Sequence, residues 1–406
     1  MKFIAVQTGA RRGYAVPAIL EKAGMLTRFY TDLAGNAGLG KLLAMARAWP
    51  GLGGPLNRLA ARRLPGEILS KTRTFGWSSL AGILAGPVRL RNPVAQFHSS
   101  VKFGESWGKP MIRAGYGNAT HIYSMLGEGG AFVAEAHRRG LTVVAEVYIL
   151  LATERIMHLE RAAFPTWEPD APDFTDLRRR LVKEDVLMKR THFYICPSEA
   201  VQEDLVDHWG VARDRTRLVP YGMSPQWLEL QPQPEKGRIL FVGTADLRKG
   251  IHYLAMAAEQ LKAQGYHYDF RVAGNVTDQV RQQPVCRSLN FLGRVPRDRI
   301  HEEFQKADVF VLPSLAEGSA EVTYEALAAG VPLVVTKAAG SVMRDGLEGR
   351  LIPERDPTAL AEVIHQIVED RILRGRLAVA ARERARGFTW ERYGERLVTA
   401  LKSFKS

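Results

Sequence analysis

Glu317 and Glu325 bracket the run EGSAEVTYE, with Pro313-Ser314 before it and ALAAGVPLVVT after it. A carboxylate offers two oxygens and about four lone-pair directions, so it suits paired hydroxyls. Glu317, in a loop, would take those of a sugar, and Glu325, inside a helix, both hydroxyls of a ribose. The helix start supplies a third group: free amides of Ala320, Glu321 and Val322 would face a diphosphate, since a helix N-terminus presents unpaired N–H groups and a positive dipole end. Together these suit a nucleotide-sugar. The plainer alternative is one Glu favouring the helix dipole and a second on a solvated face.

Holding such groups in place takes a strand, a loop and a helix in succession. Val309-Phe310-Val311-Leu312 is an apolar run of the kind buried in a parallel sheet, and an amphipathic pattern resumes at Val322. Ser319 can cap the helix, Gly330 suits the position just past its end, and Pro332 prevents continuation before a second strand, Leu333–Thr336. Both carboxylates are thereby set at the carboxyl edge of a sheet.

The run from Asp308 to Leu360 resembles the donor-binding half of the retaining glycosyltransferases of family 4. The likeness is carried by Pro313-Ser314, Glu317, Glu325-Ala326, Gly330, Ala339-Gly340 and Asp345-Gly346 with Gly349, and it extends more thinly over most of the chain. It implies an α/β protein of GT-B architecture: two Rossmann-like doubly wound domains facing a central cleft, with a C-terminal helix crossing back to the first. The implied activity moves a sugar from a nucleoside-diphosphate-sugar to a saccharide or lipid-linked acceptor, with retention of anomeric configuration. A GT-B epimerase or phosphorylase, or a basic lipid- or nucleic-acid-binding module with a degenerate donor site, are the alternatives.

In the resembled family a glycine after the first strand of the second lobe is followed by Arg and then by Lys-Gly, the cations clamping the donor diphosphate. Gly243, Lys249 and Gly250 match, Thr244 holds the arginine's place, and Arg248 is the neighbouring cation that would supply the charge. By the same resemblance the base lies near Gly274-Asn275 and Arg294-Val295. Gly9 and Gly13 let a first-lobe loop approach the donor, with Arg11 or Arg12 facing phosphate. Many members place a histidine after the strand corresponding to Leu141–Val147; here VVAEVYILL has none. Glu146 is then the candidate for stabilising charge near the anomeric carbon, unless it merely pairs with a basic neighbour. Positive side chains and helix amides can neutralise a diphosphate, so neither metal nor other cofactor is expected.

The elements along the chain fit that frame. A chain of 406 residues, 46% hydrophobic, makes two ordinary cores. A strand over residues 2–7, a loop with Gly9 and Gly13, a helix from Val16 and a strand from Leu26 open the first lobe, residues 1–224. Asp32 falls where a dinucleotide-binding acid would, but the glycines are not spaced G-x-G-x-x-G, which argues against a nicotinamide site. Helices are expected over Thr175–Arg190 and Glu199–Trp209. Residues 225–237 read as a linker, 238–386 as the donor lobe, and 387–406 as the returning helix, with Tyr393, Leu397 and Leu401 on one stripe.

Charge is unevenly placed. Net charge is +13, and residues 1–120 hold 17 Lys+Arg against Glu21, Asp32, Glu67 and Glu105, which leaves the remainder balanced at 39 of each sign. Leu39–Leu69, in an insertion over about 33–115, mixes Leu, Met and Trp49 with Lys and Arg, so it reads either as a helical layer at an anionic membrane face or as an ordinary cover over the acceptor cleft. No motif for nucleic acid accompanies the charge. The two cysteines, Cys196 and Cys286, have neither metal nor redox spacing and suggest a reducing compartment. With no uncharged apolar run near ~18 residues, the expectation is a cytoplasmic protein, soluble or peripheral at the inner membrane face.

Overall fold

The computed structural model describes residues 1–45, 53–76, 93–169, 171, 173–175 and 184–404. Its frame is two parallel sheets built from short β-branched and aromatic runs, which need cover on both faces. The first runs β3-β2-β1-β4-β5-β6-β7. Its strands are β1 (Phe3–Val6), β2 (Leu26–Thr31), β3 (Thr72–Thr74), β4 (His121–Met125), β5 (Thr142–Glu146), β6 (Phe193–Cys196) and β7 (Thr216–Leu218). The second runs β10-β9-β8-β11-β12-β13: β8 (Arg238–Val242), β9 (Asp269–Ala273), β10 (Leu289–Gly293), β11 (Val309–Leu312), β12 (Leu333–Thr336) and β13 (Gly349–Ile352). Its centre is dry: Ile239, Leu240 and Phe241 of β8, all of β11 and Leu333 to Val335 of β12 are fully buried. Each such side chain removed from water contributes about 1.5–3 kcal/mol.

Strand order reverses between β1 and β4 in the first sheet and between β8 and β11 in the second. Loops leaving the carboxyl ends of such a pair part to opposite faces and open a crevice, where sheets of this kind bind ligands. The two lobes meet at these ends. A Cβ added to Gly318, after β11, would lie 1.9 Å from the Tyr148 carbonyl oxygen, after β5. The Ser198 hydroxyl, after β6, donates to the Gly318 carbonyl.

The last helix, Trp390–Ser403, is capped by Thr389 and buries Tyr393, Leu397, Ala400 and Leu401. It returns to the first lobe. Met223 N donates to Phe388 O at 2.8 Å and Trp390 N to Met223 O at 3.2 Å, and Phe404 stacks on Phe193 with ring centroids 4.2 Å apart.

Two expected helices differ in extent. Glu199–Trp209 is α-helical only over Glu199–Glu203 and then widens into a π turn, Asp204–His208. That turn carries the Asp204 carboxylate inward, where it accepts from the amides of Leu151 and Ala152 at 2.6 and 3.3 Å. Of Thr175–Arg190, the described helix is Glu184–Arg190. The basic insertion contains helices Gly38–Met45, Gly53–Ala60 and Pro93–Ala114; Trp49 lies outside the described residues.

Candidate functional site

The second-lobe half of the site is built on the loop after β8. Gly243 has φ +148°, and a Cβ there would stand 2.8 Å from Lys249 Cδ, so the bare glycine lets the lysine chain lie across the backbone. Asp246 accepts from Lys249 N at 2.9 Å and closes the turn. Gly250, at φ +72°, presses so close to the Pro313 carbonyl that a side chain would sit 2.0 Å from its oxygen. The β8 and β11 loops are thus locked together. In consequence Lys249 Nζ pairs with Glu317 Oε1, and Arg248 Nη1 lies 2.9 Å from Glu317 Oε2 while donating to Ala316 O at 2.8 Å. Thr244 is exposed, as are Asn275 and Arg294, with Val295 half buried. These four share the carboxyl rim: Ala245 N donates to Asn275 O and Gly274 N to Gly293 O, both at 2.8 Å.

The helix after Glu317 departs from expectation at its start. It runs Glu321–Ala328 with Ala320 at the N-cap and no side-chain cap. Ser319 does not cap it: its hydroxyl donates to Gly340 O at 2.7 Å and lies 2.8 Å from the Tyr324 hydroxyl. The Ala320 amide is not free either, since it donates to Ala339 O at 3.0 Å. Glu321 and Val322 occupy the first two helical positions, whose N–H groups have no carbonyl within the helix to reach. Glu325 follows one turn later, half buried. Burial first, and then the Glu321 carboxylate, push Glu325 up to about 8 against the pull of Arg297.

The first-lobe half is a left-handed turn. Gly9 and Gly13 have φ +69° and +60°, and no atom lies within 4 Å of where a Cβ would be, so open space faces both. Arg12 and Tyr14 are also left-handed, at φ 49° and 65°, a cost that the surroundings must offset. They do so by contacts the sequence did not disclose. The Gly9 amide donates to Asp32 Oδ1 at 3.0 Å, which makes Asp32 a support for the loop. Thr8 donates to Glu128 through its amide at 2.9 Å and its hydroxyl at 2.6 Å, and Arg11 reaches the same carboxylate at 3.1 Å.

Glu146 is fully buried and ion-paired with Arg12. Tyr123 OH donates to its Oε2 at 2.6 Å and Tyr221 OH to its Oε1 at 3.1 Å, while the Arg12 guanidinium lies 4.2 Å from the centroid of the Tyr221 ring. A carboxylate withdrawn from solvent and so engaged cannot face an anomeric carbon; Glu146 supports Arg12 instead. The clue available in sequence was a lone acid in an otherwise apolar strand, VVAEV, which must find a buried cation. Two residues on, Tyr148 is exposed, with the Arg11 guanidinium 4.4 Å from its ring centroid. Among the described residues no group of three His, Cys, Asp or Glu side chains could hold a metal ion.

Two parallel-sheet lobes meeting at their carboxyl ends, with a last helix returned to the first lobe, define a GT-B fold. Residues 229–384, most of the second lobe, match the family described as glycosyl transferases group 1. A glycogen synthase of Mycobacterium tuberculosis is 27% identical over 220 residues, covering 51% of this chain and 53% of the relative. A D-inositol 3-phosphate glycosyltransferase of Geodermatophilus obscurus is 28% identical over 255 residues, covering 56% of each. The chain thus spans about half the length of the curated relatives it matches. Over the whole chain the fold is similar to sucrose-phosphate synthase from Thermosynechococcus elongatus, with a TM-score of 0.65 and 19% identity over 99% of this chain and 98% of the other. It is also similar to Anabaena HepE in complex with UDP, with a TM-score of 0.63 and 16% identity over 100% of both.

Proposed function

We propose that this protein is a retaining glycosyltransferase of family 4, a hexosyltransferase that uses a nucleoside-diphosphate-sugar and acts in polysaccharide or glycolipid assembly. The observation that carries the reading is the meeting of Lys249, Arg248 and Glu317 at the β8/β11 crevice, one loop away from the amides of Glu321 and Val322. A leaving nucleoside diphosphate gains negative charge as the glycosidic bond breaks, and preorganised cations and amides stabilise that charge most where water is excluded. Glu317 holds both cations in place before the donor arrives and keeps lone pairs for sugar hydroxyls. Glu325 takes the ribose, the rim at Thr244, Asn275, Arg294 and Val295 takes the base, and Gly9 and Gly13 admit the sugar from the first lobe. No metal is required. The partner relatives named above, a glycogen synthase and an inositol-phosphate glycosyltransferase, and the UDP complex of HepE support a nucleotide-sugar donor.

The acceptor enters from the basic lobe. Leu42 and Met45 protrude from Gly38–Met45 with 64% and 72% of their surface exposed, beside exposed Lys41, a combination suited to a lipid-linked acceptor at an anionic surface. The test is a panel of UDP- and GDP-linked sugars, scored by calorimetry and by nucleotide release. Failure to bind or turn over any of them would remove the assignment.

A further inference from the structure

The donor loop of the second lobe is gripped by an arm of the first. The helix Thr153–Ala163 lies between β5 and β6, and the segment after it reaches across to the second lobe. Glu168 Oε1 there accepts from the amide of Leu247 at 2.9 Å, and Arg161 holds the other oxygen of Glu168 at 2.9 Å. Leu247 begins the short turn Leu247–Lys249 that presents Arg248 and Lys249. One turn further on, the buried Glu160 accepts at Oε1 from Tyr253 OH at 2.6 Å, lies 2.8 Å from His252 Nε2 at the same oxygen, and accepts at Oε2 from Arg355 Nε at 2.9 Å. Phe164 and Trp167 pack on the His252 ring with centroids 4.5 and 5.5 Å away. Thr166, left-handed at φ 77°, turns the segment back, and its carbonyl accepts from Gln283 Nε2 at 3.2 Å.

Apart from the Arg161–Glu168 pair, which lies within the arm, each of these contacts joins the lobes. They hold the stretch from Leu247 to Tyr253 at the Leu247 amide, His252 and Tyr253, whereas Lys249 meets Glu317 within the second lobe. A turn as short as Leu247–Lys249 has little stiffness of its own. Inside the second lobe it is held by Asp246 and by Leu315 N donating to Arg248 O at 2.8 Å.

We infer that the arm Thr153–Glu168 is a positioning clasp for the donor loop, so that the second lobe presents Lys249 and Arg248 fully only while the first lobe is docked against it. The inference rests on the donor reading above. Glu168 and Glu160 are positioning residues that act through Leu247 and the first turn of the helix Ile251–Ala263. Lobe docking and assembly of the phosphate-binding cations are then one event.

The test compares wild type, Glu168→Ala, Glu168→Gln, Lys249→Ala and the Glu168→Ala/Lys249→Ala double variant, using UDP and GDP binding and amide hydrogen exchange without nucleotide. Glu168→Ala weakens nucleotide binding about tenfold, the scale of one charge-assisted hydrogen bond, and Glu168→Gln, which keeps an acceptor, restores most of it. In the Lys249→Ala background Glu168→Ala adds little, because both act on one contact. Exchange rises at Lys249 and Gly250, beyond the amide directly bonded. Wild-type affinity in Glu168→Ala, or full additivity in the double variant, would overturn the clasp. Should wild type bind neither nucleotide, the donor reading falls, and exchange decides the clasp alone: unchanged protection at Lys249 and Gly250 sinks it.

Discussion

Glu325 carries a proton at neutral pH in the free protein, because burial and Glu321 raise it to about 8. Ribose hydroxyls donating to that carboxylate favour its ionised form, so nucleotide binding near neutrality releases a proton and tightens as pH rises from ~6 to ~8. Calorimetry in two buffers of different protonation heat measures the release; equal heats would exclude Glu325 from the ribose. Stability runs the other way. The folded chain retains a proton that the unfolded chain loses above the ordinary carboxylate range, so this residue's contribution falls as pH climbs towards about 8. Glu325→Gln removes that slope in chemical denaturation. At Glu146 the consequence is structural. Glu146→Ala strands the buried Arg12 guanidinium, and losing one partner of such a pair costs ~3–5 kcal/mol, read as an early unfolding midpoint; a midpoint within error of wild type would mean Arg12 finds another anion.

At the scale of elements, the loops after β5 and β11 touch backbone to backbone. Gly318 is not in a left-handed conformation; it is small because Tyr148 and Ile149 leave no room, with the Ile149 amide nitrogen 3.1 Å from where a Cβ would be. Gly318→Ala must part the lobes here. It should lower the melting temperature by the few degrees that overpacking at ~1–3 kcal/mol implies, and depress turnover together with nucleotide affinity, since docking of the first lobe sets the cations at Lys249 and Arg248. Unchanged turnover would show that the lobes need not close at this point.

These loops also show what the sequence could disclose. The β11 strand, its helix, the terminating Gly330 and the second strand are consecutive, so local pattern alone specified them, and Glu317 and Lys249 were legible through the register of a family motif. Ser319 was misread because its hydroxyl chose Tyr324 and Gly340, partners brought near by folding. Glu146, Glu160 and Glu168 were beyond a local reading for the same reason: their partners Arg12, His252 and Leu247 lie far along the chain. An isolated acid in an apolar strand announces that it needs a partner, not which one.

For the molecule as a whole, the excess charge confined to residues 1–120 gives the first lobe a field that the balanced remainder does not cancel. Exposed Leu42 and Met45 add an apolar component beside Lys41. If that layer seats the protein on a lipid surface bearing its acceptor, vesicles containing anionic phosphatidylglycerol should bind it and purely zwitterionic ones should not. Each basic residue near such a surface contributes about 1 kcal/mol, screened beyond a Debye length of ~10 Å at 0.1 M salt, so binding should fall steeply with salt. The substitutions Leu42→Ser and Met45→Ser leave the charge unchanged and separate insertion from simple attraction: the paired variant should bind anionic vesicles severalfold more weakly at every salt concentration, with nucleotide affinity intact. Binding that depended on salt alone, indifferent to both substitutions, would mean that the field attracts a soluble anionic acceptor and that the apolar face does not enter a bilayer.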